Sequence, residues 1–175
     1  MINFTIGCDP DSEAHGVAIY KNGALIELHN LNLLDFMDKL IELKALGDIH
    51  VHIENLNGNK AVWHGKEQNK KAYGMTSQNV AKCKQAQIEV ERMLTKLGIP
   101  FTRHPVSSAW KSQESKKQFE LATGWKGNSN EDKRSAAYFG FIGCGNQKAL
   151  SLSICQPYVP KKKAAGVTKL NSPKY

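Results

Sequence analysis

Asp9, Glu54 and Asp132 each stand where an apolar segment ends or a helix begins. Asp9 closes the run Ile2-Asn3-Phe4-Thr5-Ile6-Gly7-Cys8 and is followed by Pro10, which cannot continue a strand ladder. Glu54 closes the β-branched run Ile49-His50-Val51-His52-Ile53 before Asn55-Leu56-Asn57-Gly58. Asp132 and its neighbour Glu131 follow the polar stretch 127–130 and open the helix-like segment that runs to Ile142. Carboxylates repel one another when gathered, and a cation relieves that repulsion. Hard oxygen donors of this kind suit Mg²⁺, which keeps several waters and needs few protein ligands. Each acid also has a plainer reading: Asp9 as a turn former, Glu54 as a surface strand end, and Glu131 and Asp132 as acids favoured by the helix dipole.

The surrounding elements must bring these acids together. Gly16–Tyr20 and Ala24–Leu28 flank Lys21-Asn22-Gly23, and Asn-Gly between apolar runs signals a hairpin. The chain therefore opens with three antiparallel strands. Leu33, Phe36, Met37, Leu40, Ile41 and Leu43 recur at helical spacing and stop at Leu46-Gly47, returning the chain to a parallel strand over 49–54. Residues 55–75 show no period and are expected as a mobile basic loop. Thr76 or Ser77 then caps a helix in which Val80, Cys83, Ala86, Val90, Leu94 and Leu97 recur. A short strand over 99–105, short helices at 107–111 and 114–121, a loop over 123–130 and a last helix over 130–142 follow. Residues 150–159 suit a further strand or an extended arm.

A chain of 175 residues at 41% hydrophobic supports one α/β domain, expected over 1–159, with a basic flexible tail at 160–175. The formal charge is +8 and the pI about 9.3, which fits a polyanionic partner. Lys60, Lys66, Lys70, Lys71, Lys82 and Lys84 are opposed in their stretch by Glu67 alone, and the tail has lysines and no acid. Cys8, Cys83, Cys144 and Cys155 are widely spaced, as reduced thiols in the cytoplasm are. Export and membrane insertion are not expected, because no basic leader with an apolar run and no 18-residue apolar stretch occurs.

The order βββαβαβα, with acids ending strands one and four, is the layout of the ribonuclease H-like fold: a mixed five-stranded sheet, first three strands antiparallel, flanked by helices. Within it, residues 2–145 resemble RuvC-type Holliday junction resolvases of a phage-encoded or divergent kind. The resemblance rests on Ile6-Gly7-Cys8-Asp9-Pro10 with Gly16, on Val51-His52-Ile53-Glu54, on Leu97-Gly98-Ile99-Pro100, on Val106-Ser107-Ser108-Ala109-Trp110-Lys111, on Ala122-Thr123-Gly124 and on Asn130–Ala137. Family members carry two acids, or a His and an acid, three apart at the last helix; the second of these positions is Ser135 here.

The resemblance implies two Mg²⁺ ions, replaceable by Mn²⁺, about 3.5–4 Å apart in a phosphodiester-cleaving site. Asp9 would bridge them, Glu54 would hold one, and Asp132 with Glu131 the other; which of that last pair is the main ligand stays open. Lys111 falls where the family has a phosphate-contacting lysine, and a solvated surface lysine is the alternative. Lys116 and Lys117 are further phosphate candidates. Trp63 and Tyr73 follow Glu54 where related resolvases place an aromatic wedge, and an aromatic can stack on an unpaired base. With Lys60, Lys66, Lys70 and Lys71 they make the expected DNA-binding set. His52 shares a strand face with Glu54, whereas His15, His64 and His104 show no ligand spacing. The implied protein is a homodimeric DNA endonuclease of a bacterial cell or phage-infected host, cutting Holliday junctions or other branched DNA symmetrically. A less selective nuclease on flaps, forks or RNA–DNA hybrids, and a catalytically weak branched-DNA-binding protein, are the alternatives.

Overall fold

The computed structural model describes residues 2–58 and 70–146, with only the backbone of residues 70–73. Strands β1 (Asn3–Asp9), β2 (His15–Lys21) and β3 (Ala24–Leu31) form the antiparallel meander. The β2–β3 turn is Asn22-Gly23, with φ of 50° and 85°. Positive φ at both positions is what a two-residue hairpin turn requires, and Asn and Gly supply it at low cost. Helix α1 (Leu33–Leu46) begins where the Asn32 side chain accepts from the Leu34 and Asp35 amides, both at 3.0 Å. It hands the chain to β4 (Asp48–Glu54), then to α2 (Lys70–Leu97), β5 (Phe101–His104), α3 (Lys116–Thr123) and α4 (Glu131–Gly143). The sheet order is β3-β2-β1-β4-β5, so β1 and β4 are central neighbours and run parallel.

Strand alternation divides the core into two layers. Phe4, Ile6 and Cys8 of β1, with Ile49, Val51 and Ile53 of β4, face the layer closed by Phe36, Leu40, Val90 and Leu94. The opposite face carries Gly7 and Asp9 of β1 and His52 and Glu54 of β4, and α4 covers it. There Ala136, Ala137 and Phe141 pack with Ala18, Tyr20, Trp110 and Phe119, and the Tyr20 hydroxyl donates to the Ala137 carbonyl at 2.8 Å. Helix and sheet approach so closely that a Cβ on Gly7 would overlap the Ala136 carbonyl oxygen, and one on Gly16 the Asp132 carbonyl oxygen.

Three expectations need correction. Helix α2 begins at Lys70, so Thr76 and Ser77 lie inside it and cap nothing, and residues 70–75 are not loop. Gly74 lies inside the helix, and its helical cost of about 1 kcal/mol is small against flanking Ala, Lys, Met and Gln residues that favour helix. A 3-10 turn, Leu56–Gly58, also replaces the start of that loop. Residues 107–111 form a turn instead of a helix: Trp110 has φ of 62°, and the carbonyls of Trp110, Lys111 and Ser112 go to the Arg134 side chain. The remaining boundaries move slightly, with β5 confined to Phe101–His104 and α3 ending at Gly124 in the left-handed region, φ 71°. The expected arm at 150–159 and the tail lie outside the described residues.

Candidate active site

Pairing of β1 with β4 in the register Cys8↔Ile53 sets Asp9 and Glu54 side by side at the carboxyl ends of the two central strands. Glu54 is fully buried and Asp9 nearly so, at 0% and 7% exposed. A buried carboxylate needs partners, and Glu54 has two: the Ser107 amide donates to Oε1 at 3.1 Å, and Lys111 Nζ lies 3.2 and 3.0 Å from Oε1 and Oε2. The same ammonium lies 3.4 Å from Asp9 Oδ2. Lys111 therefore spans both acids. Burial and then the Glu54 charge push the Asp9 carboxyl up to about 7, against the opposing pull of Lys111. Burial works against the Lys111 ammonium, but the two carboxylates more than offset it and raise its pKa.

The first turn of α4 brings Asp132 to the margin of this pair. Its Oδ2 is 3.5 Å from the amide nitrogens of both Asn30 and Asn130. Burial and the charges of Asp9, Asp11 and Glu131 raise its carboxyl. Glu131 is exposed. Among the described residues, no three His, Cys, Asp or Glu side chains are gathered tightly enough to hold a metal ion as they stand. Ser135 is 1% exposed; its hydroxyl lowers the proton affinity of Asp9, and Oγ has no hydrogen-bond partner among the described residues. An all-oxygen donor set, a surplus of negative charge and an orphaned hydroxyl together fit a hard divalent cation such as Mg²⁺.

Arg134 has no counterpart among the expected site residues. It is 4% exposed, and its guanidinium donates to the carbonyls of Trp110 at 2.8 Å, Lys111 at 2.6 Å, Ser112 at 3.4 Å and Ser129 at 3.2 Å. It holds the left-handed turn that aims Lys111 at the acids and is a positioning residue. Arg134 closes the charged run Glu131-Asp132-Lys133 directly before the small residues Ser135-Ala136-Ala137, and nothing in that spacing marks it as buried. Arg134→Lys keeps the charge and loses the fork. It is expected to cost about 2 kcal/mol in urea unfolding, because the carbonyls of the turn lose their shared donor.

Of the expected DNA contacts, Lys117 is exposed on α3, and Lys116 on the same helix is 3.7 Å from Glu120. Lys70, Lys71 and Tyr73 fall in the first turn of α2, while Lys60, Trp63 and Lys66 lie outside the described residues.

A row of histidines runs along the same sheet face. His52 Nδ1 is 2.8 Å from His104 Nε2, His50 Nε2 is 2.8 Å from Thr102 Oγ1, and His104 stacks on Phe139. Gly143 leaves room for the His52 ring, since a Cβ there would strike it. Burial, then the charges of His50 and His104, push His52 down to about 4. Unfolded His52 takes up its proton near 6.5, so folded protein binds fewer protons between these values and loses stability as pH falls through them. His52→Gln is expected to remove about 1 kcal/mol of that acid loss, the row being half exposed and screened. Melting temperatures of both proteins from pH 7.5 to 4.5 check this.

No family model matches the chain, and no curated protein matches it. Among solved structures, the fold is similar to that of T. thermophilus RuvC in complex with Holliday junction substrate, with a TM-score of 0.53 and 11% identity over 85% of this chain and 96% of that one. A second Thermus thermophilus RuvC structure covers the same shares at 11% identity with a TM-score of 0.48. The first similarity shows a shared ribonuclease H-like fold.

Proposed function

We propose that the chain is a Mg²⁺-dependent endonuclease that resolves four-way DNA junctions by cutting symmetric strands. The reading is carried by one observation: two buried carboxylates, Asp9 and Glu54, meet at the ends of the central strands with the Lys111 ammonium between them. Asp9, Glu54 and Asp132 would hold the metal, with Ser135 beside Asp9. Divalent metal bound there supplies charge neutralisation at the phosphate and an activated water.

The chain's own residues do the rest. The Ser107 amide holds Glu54 Oε1, which leaves Oε2 to face Lys111 and the site. Lys111 Nζ offers a charged donor to a phosphate oxygen, and donors placed where charge develops lower the barrier. The net charge of +8 draws the polyanion in, with contacts that are salt-dependent and indifferent to sequence. Among the described residues no helix is long and apolar enough to cross a membrane. A four-way junction presents two equivalent strands, and a two-fold homodimer would match them with one site each.

The test is a strand-labelled four-way junction incubated with Mg²⁺ or EDTA and resolved on denaturing gels. Paired, metal-dependent nicks at symmetric positions support the resolvase. Equal cutting of flaps, forks or hybrids would assign a less selective nuclease. The lysine filling the acidic pair favours a second reading, a branched-DNA-binding protein, which binding without cutting would establish.

A further inference from the structure

We propose that the Lys111 ammonium is a resident cation that competes with divalent metal for Asp9 and Glu54, so that metal loading requires this side chain to leave. The inference rests on the metal-dependent reading above and deepens it.

The ammonium contacts three carboxylate oxygens of two acids, at 3.0, 3.2 and 3.4 Å. A lysine bound only for phosphate would have no reason to be turned inward on both acids. The backbone beneath it is fixed, because Trp110 sits at φ 62° and Arg134 holds three successive carbonyls of the turn. Movement is therefore left to the four-carbon stem, which is flexible. Lys111 is also the most open of the three side chains, at 24% exposed against 10% for Asp9 and 0% for Glu54. Two cations on the same oxygens repel strongly in a partly buried site. The ammonium would thus keep the acids paired and the fold intact while metal is absent, and its release would free a donor for DNA phosphate.

The experiment is calorimetric titration of Mn²⁺ into metal-free wild type, Lys111→Met and Asp9→Asn at pH 8, with melting curves in EDTA and in Mn²⁺. Met keeps the stem and removes the charge; Lys111→Gln serves if the Met variant does not fold. The expected result is about tenfold tighter Mn²⁺ binding by the Lys111 variant than by wild type. It should also melt lower in EDTA and gain more from Mn²⁺ than wild type does, since binding to the folded state stabilises by mass action. Equal or weaker Mn²⁺ binding by a folded Lys111 variant overturns the competition while leaving the metal site standing. Absence of Mn²⁺ binding by wild type and variant alike overturns the proposal together with the metal-dependent reading.

Discussion

If the proposed metal-dependent endonuclease is right, Asp9→Asn is expected to lower junction cleavage at least about a thousandfold, as loss of a charged ligand would remove most of the electrostatic stabilisation the metal supplies. The same change is expected to raise the melting temperature of the metal-free protein at pH 8. Burial and Glu54 disfavour the charged form of Asp9 even with Lys111 present. Folded Asp9 holds its proton up to about pH 7, whereas the unfolded chain releases it near 3.8. Between those values the folded state binds more protons, so stability falls as pH rises. An asparagine never takes the charge and escapes that loss, by at least about 1 kcal/mol above pH 7. Glu54→Gln should be equally inactive but less stable, because its amide places a donor against Lys111 and leaves that ammonium poorly paired. Nicking assays beside melting curves in EDTA measure both. Undiminished turnover in Asp9→Asn would sink the metal site, and a lowered melting temperature at pH 8 would sink the account of its charge.

Gly7→Ala should be the most damaging glycine-to-alanine change among the described residues. The added Cβ would overlap the Ala136 carbonyl oxygen and lie 2.5 Å from the Gly140 amide nitrogen and 2.9 Å from the Ala136 carbonyl carbon. All three are backbone atoms of α4, so no rotamer change can make room, and the helix would have to lift from β1. Overpacking of this kind is expected to cost more than about 3 kcal/mol. Gly23→Ala is the contrast: nothing lies within 4 Å of its Cβ, and the only penalty is φ of 85°, about 1 kcal/mol. Urea unfolding of the two variants separates them, and a Gly7→Ala protein within about 1 kcal/mol of wild type would mean that α4 is not seated as described.

The strands and most helices were legible because their signals are local. Alternation ending at Asp9-Pro10, the Asn22-Gly23 turn and the apolar period of α1 each report on a few neighbouring residues. Strand order was legible through the resemblance to the ribonuclease H-like layout, in which strands one and four are central neighbours. The 107–111 turn was not, because its conformation is set by Arg134, a residue distant in sequence. The start of α2 was missed for a related reason. Gly74 interrupts a run whose Ala, Lys, Met and Gln residues favour helix only weakly one by one, and neither Thr76 nor Ser77 announces that the helix is already under way. In the candidate site, the ends of β1 and β4 could be read, but the inward turn of Lys111 and the buried Ser135 hydroxyl depend on packing that no spacing records.

The register of β1 against β4 has a consequence for how the protein can go wrong. Side chains alternate across a sheet, so a slip of one residue would turn one acid toward the aliphatic layer and leave the other alone. A slip of β1 would also carry Ile6 or Cys8 to the face under α4, where the helix backbone leaves no room for even a Cβ on Gly7. A slipped molecule could therefore not seat α4, and register errors would be rejected during folding instead of surviving into the folded protein. The close approach of α4 to Gly7 works as a proofreader of the pairing that sets Asp9 beside Glu54.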